Sequence, residues 1–140
     1  MERGRITSIS DFQLLQNVWE KQVIDDEDLT PKSRFDRMLE EVEEAKIEAD
    51  SLNGSEESKK RLGGEVADIV FVALGVLSTL NMDAETELNR ILEQNYQKYN
   101  PLVNRTLKDA GLSPREALSH QKRVWRYSKG VVSGTIPTAS

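Results

Sequence analysis

Residues 65–80, "EVADIVFVALGVLSTL", constrain this chain more than any other stretch. Val66, Ile69, Val70, Phe71, Val72, Leu74, Val76 and Leu77 leave almost no polar face at helical spacing. A helix apolar nearly all round belongs at the centre of a bundle. The run carries Asp68 and is too short for a membrane span. Glu65 and Asp68 lie three residues apart on it, with no lysine or arginine one turn further along. A carboxylate in such surroundings is costly unless it is paired or bound to a cation.

The flanking sequence is helical too, with no strand-like alternation beyond a few residues. A first helix is expected from about Ser10, with Gln13 as capping-box partner and Phe12, Leu15, Trp19 and Val23 turned inward. "DDEDLTP" breaks it. Thr30 and Pro31 supply a cap and a first helical residue for the second helix, which turns Phe35, Met38, Leu39, Val42 and Ala45 inward and ends near Gly54. The third starts between Glu56 and Gly64. Asp83 caps a fourth, with Leu88, Ile91, Leu92 and Asn95 on one stripe and Pro101 at its end. Ser113, Pro114 and Glu116 mark one more start, and "VVSGTIPTAS" reads as a frayed tail. The expected fold is all-α: four main helices over residues 1–105, then a helical extension and tail over 106–140.

At 140 residues the chain suits a single core. It has no cysteine, which removes disulfides and thiolate metal sites. The opening "MERGRITSIS" lacks the apolar run of a signal peptide, so a cytoplasmic protein is expected. A net charge of −5 disfavours generic nucleic-acid binding. The charge is uneven: residues 1–70 hold ten Lys/Arg against eighteen Asp/Glu, and residues 71–140 hold nine against six.

The acids of the central helix have a counterpart in "RMLEEVEEAKIEAD", residues 37–50. Glu41 and Glu44 repeat the three-residue spacing, and Glu40 lies one turn from Glu44. Alone, this stretch reads as a solvated face, with Arg37 and Lys46 able to pair with Glu41 and Glu43 across a turn. Packed antiparallel across "LNGS", the two helices would bring the acidic pairs face to face, about 8–10 Å between axes. Four converging carboxylates suit a hard divalent ion such as magnesium. Zinc is disfavoured, because there is no cysteine and only one histidine.

"EEVEE" followed twenty residues later by "EVAD" resembles the E-E-x-x-E … E-x-x-D signature of the all-α NTP pyrophosphohydrolases. That superfamily includes MazG-like proteins, dimeric dUTPases, dCTP pyrophosphatases and phosphoribosyl-ATP pyrophosphohydrolases. "NMD" before the fourth helix is similar as well, and "NYQKY" is similar to an N-x-x-K/R-Y element of the MazG-like and dCTP-cleaving members. The likeness covers roughly residues 10 to 100.

The resemblance implies a four-helix MazG-like bundle, assembling as a dimer or tetramer, that cleaves (d)NTPs to monophosphates and pyrophosphate. It implies Glu41, Glu44, Glu65 and Asp68 as ligands of Mg2+, with Mn2+ as a substitute. Glu40 would be the general base or help to hold a second ion. Asn95, Lys98 and Tyr99 would contact the substrate. Gln16 and Trp19 offer an amide reader and a stacking surface for the base, although Trp19 also suits core packing. Phosphoribosyl-ATP pyrophosphohydrolase is an alternative that "NYQKY" fits poorly, and a non-catalytic acidic helical module is the alternative from another class. His120 reads as ordinary surface. The basic segment with Lys122, Arg123, Arg126 and Lys129 departs from the family core; it suits a neighbouring subunit, phosphate contacts or a solvated face.

Overall fold

A computed structural model describes residues 8–130, which are helices joined by turns and short irregular links, with no strand among the described residues. The expected tail at 131–140 lies outside the described residues. The helices are α1 (Ile9–Val23), α2 (Pro31–Asp50), α3 (Glu56–Thr79), α4 (Ala84–Lys98), α5 (Pro101–Asp109) and α6 (Pro114–Ser128), with a 3-10 turn at Asp26–Asp28. The chain falls into two compact units, Met1–Glu87 and Leu88–Ser140, with the boundary inside α4.

Local chemistry sets most of the helix starts. Thr30 Oγ1 accepts from the Ser33 N–H, Ser33 returns the bond, and Pro31 occupies the first turn of α2. Ser113 and Glu116 form the same reciprocal box before α6. Asp83 accepts from the Thr86 N–H at 3.0 Å and so caps α4. Two starts differ from expectation. Ser8, not Ser10, caps α1; the Ser10 hydroxyl donates to Glu85 instead. Pro101 opens α5 rather than merely ending α4, with Asn100 Oδ1 accepting from the Leu102 N–H.

In the first unit, α2 and α1 both pack on α3. Arg61 pairs with Glu48, while Glu44 and Glu41 lie toward Glu65, so α2 and α3 run antiparallel. Burial differs sharply from the expected faces. Leu15, Trp19 and Val23 are exposed, and the side of α1 that is buried presents Gln13, Gln16 and Glu20. On α2, Phe35, Leu39 and Val42 are exposed, whereas Glu41 and Ala45 are buried. Only Ser58, Val72, Leu74 and Gly75 are buried on α3, and Val66 and Val70 remain exposed. The central helix is therefore packed on part of its circumference only. Extended back to Glu56, α3 is long and apolar enough to cross a membrane by length and composition. Its Glu65 lies in a carboxylate cluster with two glutamates of α2, an arrangement costly in lipid.

In the second unit, α5 and α6 form a helical hairpin. Gln121, buried on α6, ties it together: its Oε1 accepts from the Asn100 N–H at 2.8 Å and its Nε2 donates to Asn104 at 3.1 Å. Leu107 and Ala117 are the buried apolar residues beside it.

Candidate metal centre

The α2–α3 pairing places one carboxylate oxygen each of Glu41, Glu44 and Glu65 within 4.8 Å of one another. Glu41 is 4% exposed, Glu65 is half-buried and Glu44 is exposed. Three like charges this close need an explanation. Arg37 supplies part of one: its guanidinium reaches Glu40 and Glu41, each at 2.6 Å, so the one-turn pairing anticipated for a solvated face does form. It satisfies only one side of Glu41. Glu41 Oε2 and Glu65 Oε2 are buried and, among the described residues, have no hydrogen-bond partner.

The carboxyl groups respond to this crowding. Burial pushes the Glu41 pKa up; Arg37 opposes the rise, and Glu44 and Asp68 add to it. Glu65 is raised by burial and then by Glu44, Asp68 and Glu48. Asp68 is exposed and lies outside the trio of converging oxygens, yet its charge acts on both Glu41 and Glu65.

The donor set fits a hard divalent cation. Ligand oxygens about 2.1 Å from a magnesium ion lie about 3–4 Å apart, and the oxygens of the trio lie within 4.8 Å of one another. A cation would give the two orphaned oxygens the partner they lack and leave room for water. A second acidic group, Asp25, Glu27 and Asp28, is exposed throughout and shows no such buried oxygens.

Beside the carboxylates opens a cavity of about 450 Å3. Glu41 and Asp68 line one part, Trp19 and Phe71 another, and Glu20, Arg34 and Arg37 supply further charge. Trp19 packs edge-on to Phe71, with ring centroids 5.2 Å apart, so it both packs and faces the cavity. Gln16, 1% exposed, donates to Glu20, and Arg34 stands 3.5 Å from the other Glu20 oxygen. The Glu20 pKa is raised by burial, against the pull of Arg34 and Gln16.

Of the residues expected at the site, Glu41, Glu44 and Glu65 converge, Asp68 lines the cavity together with Glu41, and Glu40 lies outside the trio and the cavity lining, paired with Arg37. Trp19 lines the cavity, whereas Gln16 is buried behind Glu20. Asn95, Lys98 and Tyr99 belong to the second unit. Sequence reasoning missed Glu20, Arg34 and Arg37 as cavity residues. The available signal was the polar stripe Gln13, Gln16, Glu20 at helical spacing, overlooked beside a more conspicuous apolar one. No protein-family model matches the chain, and neither a curated protein nor a solved structure matches it.

Proposed function

We propose that this protein is a magnesium-dependent nucleotide pyrophosphohydrolase, cleaving (d)NTPs between the α and β phosphates to monophosphate and pyrophosphate. One observation carries the proposal: Glu41 and Glu65, on different helices, each bury an oxygen that has no hydrogen-bond partner among the described residues, beside Glu44. Glu41, Glu44, Glu65 and Asp68 would hold the ion, with manganese as a substitute. When bound, magnesium neutralises phosphate oxygens and lowers the pKa of water. Glu40, paired with Arg37, would accept the proton of the attacking water or help to hold a second ion. Trp19 and Phe71 offer a base an aromatic wall. Asn95, Lys98 and Tyr99 enter as substrate contacts through the resemblance of "NYQKY". Clearing unwanted nucleotides or controlling the nucleotide pool is the corresponding role.

A homodimer or tetramer of MazG-like bundles belongs to the same proposal. Leu14, Leu15, Val18, Leu39, Val42, Val66 and Val70 are all exposed, and a second copy would cover such residues.

The pairing of Arg37 with Glu41 favours a second reading, a non-catalytic helical module whose acids are charge-paired. Pyrophosphate release from a panel of (d)NTPs with magnesium separates the two. Wild type should release pyrophosphate, while Glu41→Gln and Asp68→Asn should not. A folded wild type inactive on every nucleotide would sink the enzyme proposal; full activity in both variants would displace the site.

A further inference from the structure

The second unit has a cavity of its own, about 300 Å3, bounded by the end of α4, the start of α5 and one face of α6. That volume lies at the lower end of small-molecule pockets. Its polar and aromatic lining includes Lys98, Asn100, His120, Gln121 and Trp125, with no aspartate or glutamate. The Lys98 ammonium has no carboxylate partner among the described residues. It stands 4.6 Å from the Trp125 ring centre and 5.5 Å from that of Tyr99. Trp125 Nε1 is buried, likewise with no hydrogen-bond partner among the described residues. Gln121, by contrast, is fully engaged in holding Asn100 and Asn104, so the wall is fixed.

A half-buried ammonium resting on aromatic rings is stabilised far less than one paired with a carboxylate. Lys98 therefore retains unused capacity for an anion. Asn100 and Val103 of the lining lie at the amino-terminal end of α5, the end of a helix that attracts negative charge. Residues 88–140 hold nine Lys/Arg against three Asp/Glu, and Lys122, Arg123 and Arg126 of α6 are exposed where they can attract an anion over a distance. Lysine binds phosphate as a point charge.

We infer that the Lys98–His120–Trp125 cavity is a binding site for a small phosphate-bearing ligand, complete within residues 88–130 and independent of the carboxylate cluster. Lys98 makes the ionic contact, and His120 and the side-chain NH2 of Asn100 add donors. The inference rests on this cavity and not on the pyrophosphohydrolase proposal, and it gives to this site the Lys98 that the resemblance of "NYQKY" assigns to the (d)NTP substrate.

Isothermal titration of the full chain in EDTA tests it, with pyrophosphate, adenosine monophosphate and uncharged adenosine as probes. Pyrophosphate and the monophosphate should bind and adenosine should not. Lys98→Gln should weaken both anions by about tenfold or more. Arg126→Gln, exposed and outside the lining, and Glu41→Gln, in the other unit, should change either by less than about twofold. The Trp125 indole N–H resonance, identified with Trp125→Phe, should shift as the monophosphate is added, a readout that survives if Lys98→Gln folds poorly. Three results would overturn the site: no anion binding at millimolar concentration, equal losses in Lys98→Gln and Arg126→Gln, or loss of binding in Glu41→Gln.

Discussion

Glu41 on α2 and Glu65 on α3 each turn one oxygen into a buried position with no hydrogen-bond partner among the described residues, and both lie against Glu44. Without a cation, that arrangement is repulsive. Glu41→Gln should therefore raise the melting temperature of the metal-free protein. Arg37 is not stranded by the change, because it keeps Glu40 at 2.6 Å. Magnesium should stabilise wild type, by about 2.7 kcal/mol at a hundred times its Kd, and should do little for Glu41→Gln. Hydrolysis should fall about a hundredfold or more in the same variant. Melting curves with EDTA and with magnesium, run on both proteins, check the stability claims.

The same groups set a pH dependence whose sign is fixed by the direction of their shifts. Glu20, Glu41 and Glu65 all have folded pKa values above the ordinary 4.5. As pH rises past 4.5, the unfolded chain gives up these protons before the folded one does. Stability of the metal-free protein should then decline until the raised folded values are passed. Asp83 works in the other direction: its folded pKa is lowered by the Thr86 hydroxyl and N–H, so its contribution is present above 3.8 and lost as pH falls through the depressed value. Magnesium must displace protons from Glu41 and Glu65, so its affinity should climb with pH over the window in which the metal-free protein weakens. Melting temperatures from pH 4.5 upward, with and without magnesium, should diverge. Parallel curves would refute the coupling.

The helix starts at Thr30, Asp83 and Ser113 were legible because a cap and its partner lie within three residues of each other. The pairing of "EEVEE" with "EVAD" was legible because each half has helical spacing and a short turn joins the helices. Faces were not. Leu15, Trp19 and Val23 form a regular apolar stripe, but periodicity cannot say which partner a stripe meets, and here the side of α1 turned inward is Gln13, Gln16 and Glu20. Short α5 was missed for a related reason. Asn100–Pro101 punctuates a chain equally well as an end or a beginning, and what decides is Gln121, twenty-one residues away.

Gln13 and Gln121 do the same job in their respective units. Gln13 Oε1 accepts from the Ala84 N–H at 2.8 Å, and its Nε2 donates to the Met82 carbonyl at 2.9 Å and to Ser78 Oγ at 3.2 Å. Gln121 likewise holds the Asn100 N–H at the start of α5. Leucine at either position would keep the volume and strand a backbone donor. Gln13→Leu and Gln121→Leu should each cost about 1–3 kcal/mol. Urea unfolding measures the loss, and a cost below about half a kcal/mol in either variant would mean that water replaces the amide.

Three glycines of α3 should answer to alanine with opposite signs. A Cβ at Gly63 or Gly64 meets nothing within 4 Å, so alanine there should stabilise the helix by about 0.5–1 kcal/mol each through backbone entropy. A Cβ at Gly75 would lie 2.7 Å from Gln16 Nε2, 2.7 Å from Glu20 Oε2 and 3.2 Å from Glu20 Oε1. Side-chain ends usually swing away cheaply. These are 1% and 4% exposed, bonded to each other, and tied to Arg34, so they have little room to move. Gly75→Ala should lose about 1–2 kcal/mol net, the crowding outweighing the helix gain. It should also shift the Trp19 emission, because Glu20 and Trp19 line one cavity and α1 must yield. Gly75→Ala combined with Glu20→Ala removes two of the three close contacts and should recover most of the loss that the crowding adds. If Gly75→Ala stabilises as Gly64→Ala does, Gln16 and Glu20 pack against α3 loosely enough to admit a methyl group.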